Sequence, residues 1–188
     1  MRIVGGTLKG RLFNPGKSFS ARPTTDIAKE SLFNILINQL DFEEIKVLDL
    51  FSGTGSISYE FASRGCEQII AIEQSYKHQL FIRQTIKDLG IHGIQVIKAD
   101  VFRYLNNCTD QFDLVFADPP FDLKNLDQIP EILFSKDILK PDGIFILEHP
   151  ANFNFSSLPY FSRERKYGHV HFSFFSKNII TDNEAQRL

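Results

Sequence analysis

The sequence predicts an α/β fold: a mostly parallel seven-stranded sheet with helices on both faces, plus a short N-terminal β-hairpin extension. Three observations carry this. From Lys46 onward, short apolar runs alternate with helical stretches, the pattern of strands joined by crossover helices. The first of these runs ends in a glycine-rich turn, as in sheets that bind a ligand at their carboxyl edge. After Pro159, runs at 161–165 and 170–175 flank a break at Tyr167-Gly168 and read as a closing antiparallel pair.

Taken in order, Arg2-Ile-Val-Gly and Arg11-Leu-Phe flank Gly5-Gly6 and Gly10, the signature of a hairpin. Residues 15–23 form a loop. Thr24-Thr25-Asp26 then supplies capping oxygens and a first-turn acid to a helical stripe of Ala28, Leu32, Phe33, Leu36 and Leu40. Strands are expected at 47–50, 68–72, 94–98, 113–117 and 143–147, with helices at 56–63, 76–89, 101–106 and about 126–134. No linker or repeat divides the chain, so the expected organisation is one domain over 1–188: a basic hairpin and loop at 1–23 and a catalytic core at 24–188.

The 188 residues are 43% hydrophobic and 23% charged, values of a folded globular chain rather than a disordered one. The N-terminus lacks the pattern of a signal peptide and no apolar run reaches bilayer length, so a cytoplasmic location and no membrane partner are expected. Cys66 and Cys108 stand apart, and the histidines show no metal-ligand spacing, so no disulfide and no metal are expected. The net charge of −2 hides an asymmetry. From Met1 to Thr25 the cations are Arg2, Lys9, Arg11, Lys17 and Arg22, with no Asp or Glu. Such an arm on an acidic body suits phosphate contacts.

Val47-Leu-Asp-Leu-Phe-Ser-Gly-Thr-Gly-Ser-Ile57 is a strand running into a glycine turn and then a helix. Gly53 and Gly55 let the backbone turn tightly and approach a bound cofactor. Glu73 ends the next strand, where an acid meets ribose hydroxyls, and Asp100 ends the third, where it can accept from an adenine amine. Ser52, within the loop, and Val101, after Asp100, complete the expected cofactor positions. S-adenosylmethionine is favoured over a dinucleotide because Ser58 replaces the third glycine of G-x-G-x-x-G, and because Asp49 repels a pyrophosphate but suits an α-ammonium. A nicotinamide dehydrogenase is disfavoured on the same grounds, and without a phosphate-binding lysine a P-loop is excluded.

The most specific element is Asp118-Pro119-Pro120-Phe121, directly after the fourth strand. The exocyclic nitrogen of a base is a poor nucleophile because its lone pair is delocalised into the ring. Hydrogen bonds from both N–H groups to fixed acceptors localise that pair. Ionised Asp118 is acceptor-only, and a prolyl carbonyl is the natural second acceptor. Phe121 offers a face for base stacking, worth roughly 1–3 kcal/mol. Catalysis by such a motif is positioning and electrostatics.

With these pieces assembled, the chain resembles the 16S ribosomal RNA guanine-N2 methyltransferases of the RsmD family. The similarity runs through Arg2-Ile-Val-Gly-Gly, Arg22-Pro-Thr-Thr-Asp, Glu30-Ser-Leu-Phe-Asn, Asp49-Leu-Phe-Ser-Gly-Thr-Gly and Asp118-Pro-Pro-Phe to the terminal strands. It implies a Rossmann-like class I methyltransferase fold, with Asp49, Gly53, Gly55, Glu73 and Asp100 at cofactor positions and residues 118–121 as the catalytic motif. It further implies transfer to one guanine N2 in small-subunit RNA within an assembly intermediate, by what is expected to be a monomer. Residues 22–26 would close over the methionine end or help hold RNA. Three alternatives stay open: a DNA adenine-N6 methyltransferase, for which no separate recognition domain is left over, a less favoured protein-glutamine methyltransferase, and a non-catalytic RNA-binding assembly factor.

Overall fold

A computed structural model describes residues 1–16, 24–120 and 123–178 of the chain. Lys17, Arg22 and Phe121 therefore lie outside the described residues. The elements run α1 (Asp26–Leu36), β1 (Lys46–Leu50), α2 (Ser56–Ser63), β2 (Gln68–Glu73), α3 (Tyr76–Leu89), β3 (Ile94–Lys98), α4 (Val101–Asn107), β4 (Phe112–Ala117), α5 (Gln128–Ser135), β5 (Leu139–His149), β6 (Phe161–Tyr167) and β7 (Val170–Ser176). The strands form one seven-stranded sheet in the order β3-β2-β1-β4-β5-β7-β6. The first five are parallel, while β7 runs antiparallel to both β5 and β6. The order reverses between β1 and β4, and the crevice at such a switch point is where ligands bind in open α/β sheets.

Alternation along the strands divides the core. Val47, Ile69, Phe116, Ile146 and Phe172 face α1 and α2 with Leu32, Phe33 and Phe61. Leu48, Val115, Phe145 and Phe175 face α4 and α5 with Leu105, Ile129 and Leu133. Local signals start and stop the helices. The Thr25 hydroxyl accepts from Ala28 N–H, the Ser75 hydroxyl from His78 N–H and the Asp100 carboxylate from Arg103 N–H. Gly90, in the left-handed region, ends α3. Helix α1 stops at Leu36, short of the stripe expected to reach Leu40. The Asn38 side-chain amide takes the Asn34 carbonyl at 2.9 Å, competing with the backbone for the helical bond.

The expected N-terminal hairpin is present but short: Arg2 bridges Leu12 in antiparallel fashion, Ile3 N–H donates to Arg11 O at 3.0 Å, Gly10 N–H to Ile3 O at 2.8 Å and Phe13 N–H to Met1 O at 3.1 Å. Between its two sides the arm bonds to α2 instead. Thr7 N–H donates to Ser63 O at 2.6 Å, Leu8 N–H to Ser63 Oγ at 2.9 Å, and Val4 N–H to Glu60 Oε1 at 2.8 Å. Gly6 lies so close to this helix that a Cβ there would sit 1.9 Å from Ser63 O. Beneath the arm, Ile3 and Phe13 pack with Tyr59, Ile82 and Ile91.

A buried ion cluster fastens the arm. Lys29 Nζ donates to Arg2 O at 2.7 Å and lies 3.3 Å from Glu60 Oε1, with both side chains essentially inaccessible. Arg64 closes on the other oxygen of Glu60. Glu60→Ala strands the Lys29 ammonium and removes the acceptor for Val4. The expected loss is about 3–5 kcal/mol, read from urea denaturation, with the amides of residues 3–11 exchanging fastest relative to the parent. A loss below about 1 kcal/mol would mean the cluster does not hold the arm.

Candidate active site

A cavity of about 760 Å³ opens at the carboxyl ends of β1, β2, β3 and β4, within the size range of small-molecule sites. Its wall includes Asp49, Ser52, Gly53, Glu73, Asp100, Val101, Asp118, Pro119 and Pro120. Gly55 belongs to the turn rather than to the wall. It starts α2 at φ 80°, where a Cβ would meet the Tyr59 ring at 2.6 Å.

Each acid is held differently. Glu73 bridges the site: its Oε2 accepts from Gly53 N–H at 2.8 Å and its Oε1 from Ser75 N–H at 2.7 Å. Ser52 fixes the same turn, its N–H donating to Ile72 O at 3.0 Å and its hydroxyl approaching Asp49 O at 2.8 Å. Asp49 is buried at the end of β1 and accepts from the Ser58 hydroxyl. Ser58, read in the sequence as a missing glycine, is thus the residue that orients Asp49. Burial raises the Asp49 carboxyl to about 7 despite that hydrogen bond. Asp100 caps α4 through one oxygen, at 2.9 Å from Arg103 N.

Asp118 leaves β4 half-buried, facing the cavity. Burial pushes its carboxyl well above the usual range, and like charge from Glu148 and Asp49 adds to the effect. The Pro120 carbonyl accepts from Leu123 N–H at 2.9 Å, whereas among the described residues none donates to that of Pro119. Pro119 O is thus the better-placed second acceptor beside Asp118. No cation among the described residues pairs with Asp49, Asp118 or Glu148. A cation-bearing ligand suits a wall that carries Asp49 and Asp118.

The basic arm divides. Arg2 Nε is engaged by Asp26 at 2.8 Å, while Lys9 and Arg11 are exposed. Two features were not foreseen. Thr24 Oγ1 donates to the buried carboxylate of Glu148 at 2.7 Å, joining the segment before α1 to the end of β5. His149, Glu164 and His171, on three adjacent strands, bring their ligand atoms within 4.8 Å of one another although their spacing along the chain suggests nothing. This network is internally bonded: His171 Nδ1 lies 2.9 Å from Glu164 Oε1, His149 Nε2 2.8 Å from Ser173 Oγ, and His149 Nδ1 3.0 Å from Pro150 O.

The raised Asp49 carboxyl fixes the sign of a pH effect. Below about 7 the group holds a proton that a bound cation must displace, so affinity for a cationic ligand rises with pH through that value. Calorimetric titration with S-adenosylmethionine from pH 5.5 to 8.5 is expected to show up to about tenfold tighter binding per pH unit on the acid side. Ser58→Ala, which removes a hydrogen bond that lowers the Asp49 pKa, is expected to displace the rise to higher pH. Affinity independent of pH in the parent would exclude Asp49 from binding the cation.

A family model described as "Conserved hypothetical protein 95" matches residues 1–176. Ribosomal RNA small subunit methyltransferase D of Haemophilus influenzae is 31% identical, covering 79% of this chain and 78% of that protein. YlbH of Bacillus subtilis is 32% identical over 79% of this chain and 82% of its own length. Among solved structures, yhhF of Escherichia coli superposes with a TM-score of 0.79 at 26% identity, covering 93% of this chain and 96% of that one. With its sheet order, its glycine turn and Asp118-Pro-Pro at the switch point, the chain belongs to the RsmD family of ribosomal RNA methyltransferases.

Proposed function

We propose that this protein transfers a methyl group from S-adenosylmethionine to the exocyclic N2 of a guanine in small-subunit ribosomal RNA. It acts as a monomer on an assembly intermediate in the cytoplasm. The observation that carries the reading is the presence of Asp118 and Pro119, whose carbonyl has no donor among the described residues, on the wall of a cavity where Asp49 and Asp118 lack a Lys or Arg partner among those residues. The residues present fit the donor. Glu73 and Asp100 lie at the ends of β2 and β3, where the two ends of a nucleoside are met, and Asp49 offers its charge to an ammonium.

When bound, S-adenosylmethionine supplies an electrophilic methyl group on a sulfonium. The chain's own residues supply position. Asp118 and Pro119 O accept the two amine hydrogens and localise the nitrogen lone pair. The prolines hold that pair of acceptors rigid through their fixed φ. The wall is mostly apolar, with Phe51, Ile57, Phe102 and Phe116 among its residues, so water competes poorly for the amine. The target base must be unpaired or flipped to reach this depth, and exposed Lys9 and Arg11 are the arm's candidates for gripping phosphate.

Asp118→Ala is expected to abolish methylation of small-subunit RNA, scored by mass spectrometry of nucleosides, while S-adenosylmethionine still binds. Full activity in that variant would remove Asp118 from the chemistry. Replacing Lys9 and Arg11 by Ala is expected to weaken RNA binding and flatten its logarithmic salt dependence by roughly 0.7 for each phosphate no longer neutralised. An unchanged slope would move the RNA surface elsewhere.

A further inference from the structure

Glu148 is a buried acid with no part in the mechanism above. Its position is set by the sheet. Ala117 of β4 pairs in parallel register with Leu147 of β5, so Asp118 and Glu148 leave neighbouring strands side by side, on the face that carries Phe116 and Ile146. Asp49, paired with Phe116, is one strand further along the same face. Asp118 lines the cavity, while Glu148, 3% exposed, stands behind it and is held by the Thr24 hydroxyl at 2.7 Å.

We propose that Glu148 is a positioning residue that acts through Asp118: pinned by Thr24, it competes with Asp118 for one negative charge, and Asp118 becomes the acceptor-only carboxylate when Glu148 takes the proton. This rests on the reading of Asp118 as the acceptor for the amine hydrogens. The groups around Glu148 support it. From β4 it faces Asp118, with Asp49 of β1 beyond. The segment before α1 brings an uncharged hydroxyl, and Lys29 on α1 is taken up by Glu60. From β7 its register partner is Phe172. His149 turns to the opposite face, its ring against Phe155. A half-buried and a buried carboxyl side by side without a cation oppose each other's ionisation, and their protons belong to the pair. Burial raises Glu148 to about 7 while Thr24 favours its ionised form, and Glu148 in turn raises Asp118.

The pair supplies the correct charge where it is used. A positive charge in the cavity faces Asp118 directly and Glu148 only from behind, so it draws the negative charge to Asp118 and leaves the proton on Glu148. Mutation gives a definite sign. Glu148→Gln keeps the shape and removes the repelling charge, so Asp118 ionises at lower pH.

The test follows carboxyl 13C shifts of Asp118 in the ligand-free protein across pH, alongside the pH profile of kcat/KM for methylation. In Glu148→Gln the Asp118 titration and the acid limb of the profile are both expected to move down by about 1 pH unit or more. Thr24→Val, which weakens the ionised form of Glu148, is expected to move them the same way by less, and it serves if the glutamine variant does not fold. An Asp118 titration that superimposes on that of the parent in a folded variant would overturn the proposal. If the NMR shift occurs but neither parent nor variant methylates RNA, the coupling stands and the proposed activity fails.

Discussion

One carboxylate organises the ligand end of the molecule. Glu73 accepts from Gly53 N–H with one oxygen and from Ser75 N–H with the other, so the turn after β1, the end of β2 and the start of α3 are a single hydrogen-bonded unit. The turn needs this support. Phe51, Gly53 and Gly55 all lie in the left-handed region, at φ 58°, 55° and 80°, and Phe51 does so with a side chain. Such a residue costs on the order of 1–3 kcal/mol and persists only where its surroundings over-determine it. Here the fixings are Glu73, the bonds of Ser52 to Ile72 and Asp49, and Tyr59 filling the space over Gly55. The cavity wall at the turn follows from that fixed geometry.

Buried charge is used in two opposite ways. Between arm and body, Glu60 is matched by Lys29, Arg64 and Val4 N–H, so a fully buried acid is neutralised and satisfied by its own chain. At the carboxyl ends of β1, β4 and β5, Asp49, Asp118 and Glu148 have no Lys or Arg partner among the described residues, and Asp49 and Glu148 are held by uncharged donors of Ser58 and Thr24. Burial of these acids, with like charge adding at Asp49 and Asp118, costs the ligand-free protein stability as pH rises from the ordinary carboxyl range towards the raised folded values, since each group is harder to ionise folded than unfolded. A structure that left these acids unmatched for stability alone would be poorly chosen. The arrangement makes sense as affinity held in reserve for a cation.

What could be read from the sequence was what is local or periodic. Strand–helix alternation, the Gly53-Thr-Gly55 turn and the Asp118-Pro-Pro-Phe segment each declare themselves within a dozen residues. The parallel sheet then brings the ends of β1, β2, β3 and β4 to one cavity without further information. What could not be read depends on contacts far apart in the chain. Thr24 and Glu148 are 124 residues apart, and Lys29 and Glu60 31 apart, on different elements. The arm's hairpin was legible from Gly5-Gly6 and Gly10 among apolar residues, but the bonds of the residues between its sides to Ser63 and Glu60 were not, since those partners are invisible to a local pattern. Helix α1 ended early for a smaller reason, an asparagine side chain outcompeting its own backbone.

The charge of Asp118 also bears on which base edge fits the proposed chemistry. Guanine presents N1–H beside its N2 amine, two donors side by side, which the two oxygens of an ionised carboxylate accept together. Adenine presents an acceptor, N1, beside its N6 amine, and an ionised carboxylate repels it. A neutral Asp118 would favour adenine, an ionised one guanine. Burial and like charge favour the protonated form of the group in the empty cavity, and a cation favours the ionised one. On this reading the donor and a guanine edge stabilise the same anionic form of Asp118, so each raises affinity for the other by the same factor. Base preference then resides in the protonation state that the donor imposes on the carboxylate, and the Asp-Pro-Pro-aromatic segment alone does not encode it.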